Sequence, residues 1–463
     1  MPAIRQSFST GTGPSKEVIS MVNVKPFKAY RFDESKAGKL ANLVAPPYDI
    51  IKGDMIDKLQ SLSEYNMAWI TKNKPEEGDT PTNNQYTRAK GHLDKWIRHG
   101  ILKQDDTDSF YVYGQDFEID GKQLFRFGFI GLIELEEFAK KAPSTGAFTG
   151  VLQHEETLPK DIEDRLNLCR TCMTNFGQIF VIYPDHERKI DTILEKYMKS
   201  TPVGDVIDGD GIRHRLWRIS KKYDVQEITR LMKDRYVIIA DGHHRYKTAL
   251  ALSKENPGLQ TAKYRMMTFV NMSNPGLVVL PTHRLIQNLD YFSKDMLLKA
   301  IKEYFDLEAF TAKEKMFEVM NRRFKEGKNC FGLFINDGKF HVLTLKSQGV
   351  MDSLLPDKSP ALRKLDVAIL HALILDKMLG IDREKLAEGT MKGGGYVIYI
   401  KGIGDTVDES IQSVKKGAQA VFFMNPTRVQ EVEAVSRNFE VMPQKSTFFQ
   451  PKVWTGFTLN KLL

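Results

Sequence analysis

Apolar and polar positions follow two different periods along the chain. Between residues 109 and 118, and again between 123 and 135, apolar side chains alternate or run together on either side of Asp120-Gly121. That dipeptide suits a tight two-residue turn, so the pattern predicts a β-hairpin. Further β-type runs recur at 22–30, 178–183, 236–240, 265–271 and 277–280, with helical periods between them at 53–72, 85–102, 161–175, 187–199, 224–234 and 245–255. Val44-Ala-Pro-Pro-Tyr-Asp-Ile-Ile51 is held extended by its two prolines, and residues 74–84 read as a polar loop. After residue 290 an amphipathic stretch continues to about 325. Two strands across 330–346, a helical run at 363–379, a strand at 396–400, a helix at 406–416 and a strand at 419–424 follow. The segment 442–452 is rich in turn residues, and no internal repeat is evident.

Strands interleaved with helices predict a mixed α/β (α+β) fold. The chain has 463 residues, beyond the roughly 250 to 300 at which one core stops growing. A loose extension is expected at 1–20, a first region over 21–290 with an insertion at about 75–205, and a C-terminal α/β domain over 291–463. Apolar residues at 41% and charged residues at 27% place the chain among ordinary globular proteins. The net charge of +8 points to anionic partners such as nucleotides. The cations are spread in short runs such as Lys221-Lys222 and Arg322-Arg323, which read as solvated helix faces and speak against nucleic acid as a partner. Three cysteines, with no disulfide framework among them, suit a reducing, cytoplasmic setting. Cys169 and Cys172 lack a second pair and read as helix packing. No apolar run approaches the ~18 residues of a membrane helix.

The most informative stretch is Tyr236-Val-Ile-Ile-Ala-Asp-Gly-His-His-Arg-Tyr246, a strand entering a glycine turn and then a helix. A helix that begins there points its free N–H groups and positive dipole end at the turn. Gly242, His243, His244 and Arg245 would then cradle a phosphate. The same residues also suit a turn in which the histidines and arginine merely cap and pair. Neighbouring helix residues point ~100° apart, so the two histidines do not suit one metal ion and no metal site is expected. Asp49, after the rigid Pro-Pro-Tyr turn, and Asp241, against the phosphate turn, are candidate catalytic acids and equally suit the capping of a turn. His154, Glu155, Arg165, His283 and Arg284 suit structural roles and are also candidates for contacting a substrate, with arginine offering a two-pronged match to a carboxylate. Lys445 and Ser446, in a basic stretch with Thr447 and Lys452, are candidates for closing over phosphates, and the stretch equally suits a buried terminal loop tied down by Phe448, Phe449 and Trp454. Gly393-Gly-Gly395 lacks the Lys-Ser or Lys-Thr of a P-loop and reads as a turn.

Five motifs in order carry a family resemblance: Ala45-Pro-Pro-Tyr-Asp49, His154-Glu-Glu-Thr-Leu158, Asp241-Gly-His-His-Arg-Tyr246, Leu280-Pro-Thr-His-Arg284 and Met442-Pro-Gln-Lys-Ser-Thr447. Over about 22–460 the chain resembles the family known as domain of unknown function 1015. The Gly-His-His-Arg turn is in addition similar to the Gly-x-x-Arg turn of ParB, sulfiredoxin and free-serine-kinase proteins. That similarity implies a ParB/sulfiredoxin-like nucleotide-binding core holding ADP or ATP with Mg²⁺. It also implies a phosphotransferase acting on a small hydroxyl metabolite, L-serine first, or the reverse reaction on O-phosphoserine. Gly242, His243, His244 and Arg245 would grip phosphates, and Asp49, Asp241 and His243 would serve catalysis. A ParB-like switch on DNA is the alternative, although no helix-turn-helix follows the turn. A sulfiredoxin-like reductase would need a cysteine where His243 stands.

Overall fold

A computed structural model of the chain describes residues 22–138, 150–155, 160–386 and 395–463. The extension expected at 1–20, residues Glu156 to Leu158 of the His154 motif, and Gly393-Gly394 lie outside the described residues. The fold is mixed α/β, built on one nine-stranded and one six-stranded sheet.

The larger sheet runs in the order Val151–Leu152, Val237–Asp241, Ile179–Tyr183, Tyr264–Asn271, Lys122–Glu134, Phe110–Ile119, Arg213–Ile219, Gly204–Ile207, and Val24–Lys25 also pairs with Lys122–Glu134. The hairpin turns where it was expected. Asp120 and Gly121 both take positive φ, 50° and 73°, the conformation that matches the twist of the two strands. Both faces of the sheet are covered, and successive residues serve opposite cores. Tyr111, Tyr113, Ile130, Phe180, Ile182 and Ile238 face one cluster, which contains Trp96 and Leu93 of the helix Gln85–Arg98. Phe110, Val112, Phe129, Val181 and Ile239 face the other, with Ile190 and Leu194 of Lys189–Met198 and Ile228 of Lys222–Met232. The period of two along these strands is therefore apolar on both sides.

Several expected helices are interrupted. The run at 53–72 is two helices, Met55–Leu62 and Ala68–Thr71. Ser63 and Asn66 break it, because their side chains accept from Tyr65 N (3.0 Å) and Ala68 N (2.9 Å) and offer the backbone a turn instead. The amphipathic stretch before 325 holds the strand Phe305–Phe310 between Lys294–Tyr304 and Lys313–Lys325. The helical run at 363–379 is segmented into Pro360–Arg363, Asp366–Ile369 and a π-helical turn over Leu370–Met378.

The six-stranded sheet is antiparallel throughout, in the order Phe305–Phe310, Phe340–Leu345, Cys330–Phe334, Ala420–Phe423, Thr282–Ile286, Val397–Lys401. Thr282–Ile286, which precedes residue 290, is an inner strand here. On this lobe the Asp366 carboxylate accepts from the side-chain amides of Asn329 (2.7 Å) and Asn425 (3.3 Å). Burial outweighs those bonds and pushes its pKa up to about 7. The folded protein thus holds the proton more tightly than the unfolded chain, whose aspartates titrate near ~3.9. Stability should fall as pH rises between these two values and be level above. Asp366→Asn is expected to change little near pH ~4 and to add ~1–2 kcal/mol near pH ~8, after discounting for partial solvent access. Urea unfolding at the two pH values checks this.

The last residues leave the second sheet and return to the first. Phe448–Gln450 pairs with Val278–Leu280, Thr455 with Ala45, Leu459 with Tyr30, and Asn460–Lys461 with Thr174–Asn175. Phe449, Val453, Phe457 and Leu459 are buried in the same cluster as Trp96. Two buried arginines hold the backbone of this tail. Arg126 donates to the carbonyls of Gln450 (3.1 Å) and Pro451, and Arg284 donates to that of Lys445 (3.0 Å).

Candidate functional site

The strand Val237–Asp241 is buried up to Ala240, and the helix His243–Glu255 starts immediately beyond it. Gly242 is the helix N-cap, with φ 101° and no side-chain cap. A Cβ at Gly242 would lie 2.9 Å from Arg245 Nε. Gly242→Ala is therefore expected to cost ~1–2 kcal/mol for the left-handed backbone alone and to displace the Arg245 guanidinium. A thermal melt reads the first effect.

Arg245 turns back over the turn. It donates to the Gln178 carbonyl (2.5 Å) and to Asp241 Oδ2 (2.7 Å). The other oxygen of Asp241 accepts from Lys452 Nζ at 3.0 Å, so the tail supplies a cation to the turn across 211 positions of sequence. Burial by itself would raise the Asp241 carboxyl, but Lys452 and Arg245 outweigh it and hold it far below the ordinary carboxylate range. Asp241 is an ionised clamp between two cations, and such a group is a poor proton acceptor.

Two other motifs converge on this turn. His154 packs edge-on to His243, ring centres 4.8 Å apart, and His154 N donates to His243 Nε2 (3.4 Å). Burial lowers both imidazole pKa values, His243 strongly so, and keeps the rings neutral. The Ile239 carbonyl, 2.5 Å from His154 Nδ1, can only accept, so that nitrogen carries the proton. Nε2 is then the lone pair that accepts from the Thr447 hydroxyl at 2.8 Å. Glu155 Oε1 accepts from Lys445 N at 3.1 Å. His244, one step further along the helix, is half-buried.

Asp49 is exposed, and its charge acts on Lys401, whose amine is lowered by desolvation and by the neighbouring charges of Lys452, Lys52 and Lys445. Lys401 and Lys452 both lie over the Phe448 ring, at 4.5 and 4.8 Å from its centre. They border an open cleft of about 1010 Å³, lined also by Ile50, Met55 and Trp454. Arg126, fully buried, lies over Phe180 at 4.6 Å and has no carboxylate partner among the described residues. Burial pushes it down to about 10, against the attraction of Tyr113 and Asp241. Around Asp241, then, stand Arg245, Lys452 and Arg126, an excess of buried positive charge that an incoming anion would offset.

The remaining expected residues sit elsewhere or do structural work. His283 Nδ1 accepts from Met424 N (3.1 Å), and the ring packs on Phe423, with burial pushing it down to about 4. Arg284 stacks on Tyr399 at 4.9 Å and grips tail carbonyls. Ser446 is buried, its hydroxyl bonded to the Pro443 carbonyl and its own carbonyl to Thr427 Oγ1 (2.8 Å). Arg165 pairs with Asp164 and lies under the Tyr48 ring, 4.3 Å from its centre. Arg126, Arg265 and Lys401 were not among the expected site residues. Their signal was an arginine inside an apolar strand, as in Phe125-Arg-Phe127 and Tyr264-Arg-Met266, or a lysine closing one, as in Ile400-Lys401.

The family model described as protein of unknown function, DUF1015, matches residues 24–368. The chain belongs to the DUF1015 family. Among curated proteins nothing matches. Solved structures with similarity to this DUF1015 member include a free serine kinase in complex with ADP, at 13% identity and a TM-score of 0.32 over 65% of this chain and 84% of that one. A conserved hypothetical protein from Pyrococcus furiosus matches at 13% and 0.32 over 68% and 92%. SbnI from Staphylococcus aureus, with a C-terminal truncation, matches at 10% and 0.31 over 67% and 84%. No helix among the described residues is long and apolar enough to cross a membrane.

Proposed function

We propose that the chain binds ADP or ATP and transfers its terminal phosphoryl group to a small hydroxyl compound. The observation that carries the proposal is the unbalanced cluster of Arg245, Lys452 and Arg126 around Asp241 at an uncapped helix start. The helix N-terminus and these cations favour phosphate oxygens. Lys452 and Lys401 present their charge to the cleft, while Ile50, Met55 and Trp454 offer apolar surface for a base. The neutral His154 and His243 shape the turn and add no charge.

In the transfer, the substrate hydroxyl oxygen bonds to the terminal phosphorus as the bond to the bridging oxygen breaks. The nucleotide leaves one phosphate shorter, and the hydroxyl proton passes to a carboxylate. Asp49 suits that role better than Asp241, because Asp241 is neutralised by two cations. Among the described residues no group of three or more His, Cys, Asp or Glu side chains is set to hold a metal. Mg²⁺ would therefore arrive with the nucleotide, offsetting phosphate charge. L-serine is the first acceptor to try, and O-phosphoserine the first substrate for the reverse direction, because of the Gly-His-His-Arg turn.

The test is calorimetric titration with ADP, ATP and CTP, with and without Mg²⁺, followed by phosphoryl-transfer assays with L-serine. Saturable binding of an adenine nucleotide supports the reading. Absence of heat and of thermal stabilisation with every nucleotide overturns it.

A further inference from the structure

Arg245 also lines a second, much smaller pocket of about 40 Å³, with Tyr48, Arg165, Gly177, Thr248 and Arg265. A single water needs ~10–15 Å³ on this measure, so there is room for a compact oxyanion. The walls include the turn of the Pro-Pro-Tyr motif, the helix Lys160–Cys172, the segment that ends at Gly177, the helix His243–Glu255 and the first residues of the strand Tyr264–Asn271. A Cβ at Gly177 would stand 3.2 Å from Thr455 Oγ1 and 3.6 Å from Arg245 Nη1, so the absence of a side chain there keeps the space open.

The charges in this pocket do not balance. Arg165 is matched by Asp164, and Arg245 by Asp241, which also serves Lys452. Arg265, 4% exposed, has no carboxylate partner among the described residues and donates to the Gly177 carbonyl at 2.6 Å. Among the described residues its Nε is buried without a partner, and so is Oγ1 of Thr248, which is 2% exposed. Two residues that line one pocket, Arg265 and Thr248, thus each carry a buried hydrogen-bonding atom without a partner among the described residues, and an oxyanion held there would accept from both and supply the missing negative charge.

We propose that this pocket binds an oxyanion, a phosphate or a carboxylate group, through Arg265 Nε and Thr248 Oγ1, with Arg165 and Arg245 supplying further positive charge. The two groups share the chemistry of a small planar or tetrahedral set of acceptor oxygens. The pocket shares Arg245 with the nucleotide reading but not Lys452 and Lys401, which border the cleft and not this pocket, so Arg265, Thr248 and Lys452 tell the two sites apart.

The experiment titrates the full chain with inorganic phosphate in one arm and acetate in the other, at ionic strength matched with chloride, by calorimetry and thermal melting. Wild type, Arg265→Met, Thr248→Val and Lys452→Met are compared. At least one anion is expected to bind the wild type saturably, and the arm that responds identifies the group. Affinity should drop about tenfold or more in Arg265→Met, as for loss of a charge-assisted contact, fall less in Thr248→Val, and hold in Lys452→Met. Without anion, Arg265→Met should melt at the same temperature or higher, because an uncompensated buried charge has gone. If Arg265→Met fails to fold, the isosteric Thr248→Val carries the test alone. The proposal is overturned if neither anion stabilises the wild type, or if the pocket variants bind as the wild type does. Binding lost in Lys452→Met but kept in Arg265→Met would place the anion in the cleft, overturning this pocket and supporting the nucleotide site.

Discussion

On the proposed nucleotide reading, Lys452→Met is expected to remove most of the thermal stabilisation that ADP or ATP would give the wild type. At a nucleotide concentration of ~100 times Kd, binding adds ~2.7 kcal/mol to stability. The lysine that borders the cleft and bonds to Asp241 should account for much of that binding. A hydrogen bond to a charged group is worth ~1.5–3 kcal/mol, or a loss of roughly 10- to 100-fold in affinity. Asp241 keeps Arg245 as a partner in the variant, so the fold should persist, and Lys452→Arg should recover part of the affinity. Calorimetric Kd values for the three proteins decide the matter. Equal affinity in Lys452→Met would remove this lysine, and with it the cleft edge, from the binding site.

A chain ended at residue 440 is expected to lose cooperative folding of the larger sheet altogether. The deletion removes Met442, Phe449, Val453, Phe457, Leu459 and Leu462, each with 6% exposure or less. At ~1.5–3 kcal/mol for each buried apolar side chain, the loss rivals the ~5–15 kcal/mol that holds an ordinary protein folded. It also strips Arg126 of the carbonyls of Gln450 and Pro451 and leaves that guanidinium buried with Gln115 alone. Near-ultraviolet circular dichroism and a melting curve of the shortened chain provide the measurement. A soluble product with a sharp transition and native-like aromatic signals would show that the tail merely decorates the sheet.

Both predictions turn on a segment that the sequence presents as a turn-rich terminus. The tail is a structural seam. It leaves the six-stranded sheet after Phe423, passes Arg284, adds a strand to Val278–Leu280, and closes over the first core while placing Lys452 on Asp241. Stability of the fold and charge at the turn therefore depend on the same residues. Variants in the tail should be checked for folding before any loss of binding is assigned to charge.

What the sequence determined by itself was local. The Asp120-Gly121 hairpin was legible because both residues tolerate positive φ and the flanking strands alternate. The strand–glycine–helix unit at 236–255 was legible because its apolar run, its Gly242 and its helical period lie within one short window. The breaks at Ser63 and Asn66 were not, since side-chain hydrogen bonds compete there with helix formation and leave the hydrophobic period untouched. Only the tertiary structure decided that Lys452 would neutralise Asp241, that His154 would meet His243 and Thr447, and that Arg126 and Arg265 would turn inward as cations with no carboxylate partner among the described residues. Thr282–Ile286 joined the second sheet for the same kind of reason. Dihedral preferences and periodicity act between neighbours, whereas these contacts join residues up to hundreds of positions apart, and they form because burial of the sheet faces under helices and the tail brings them together.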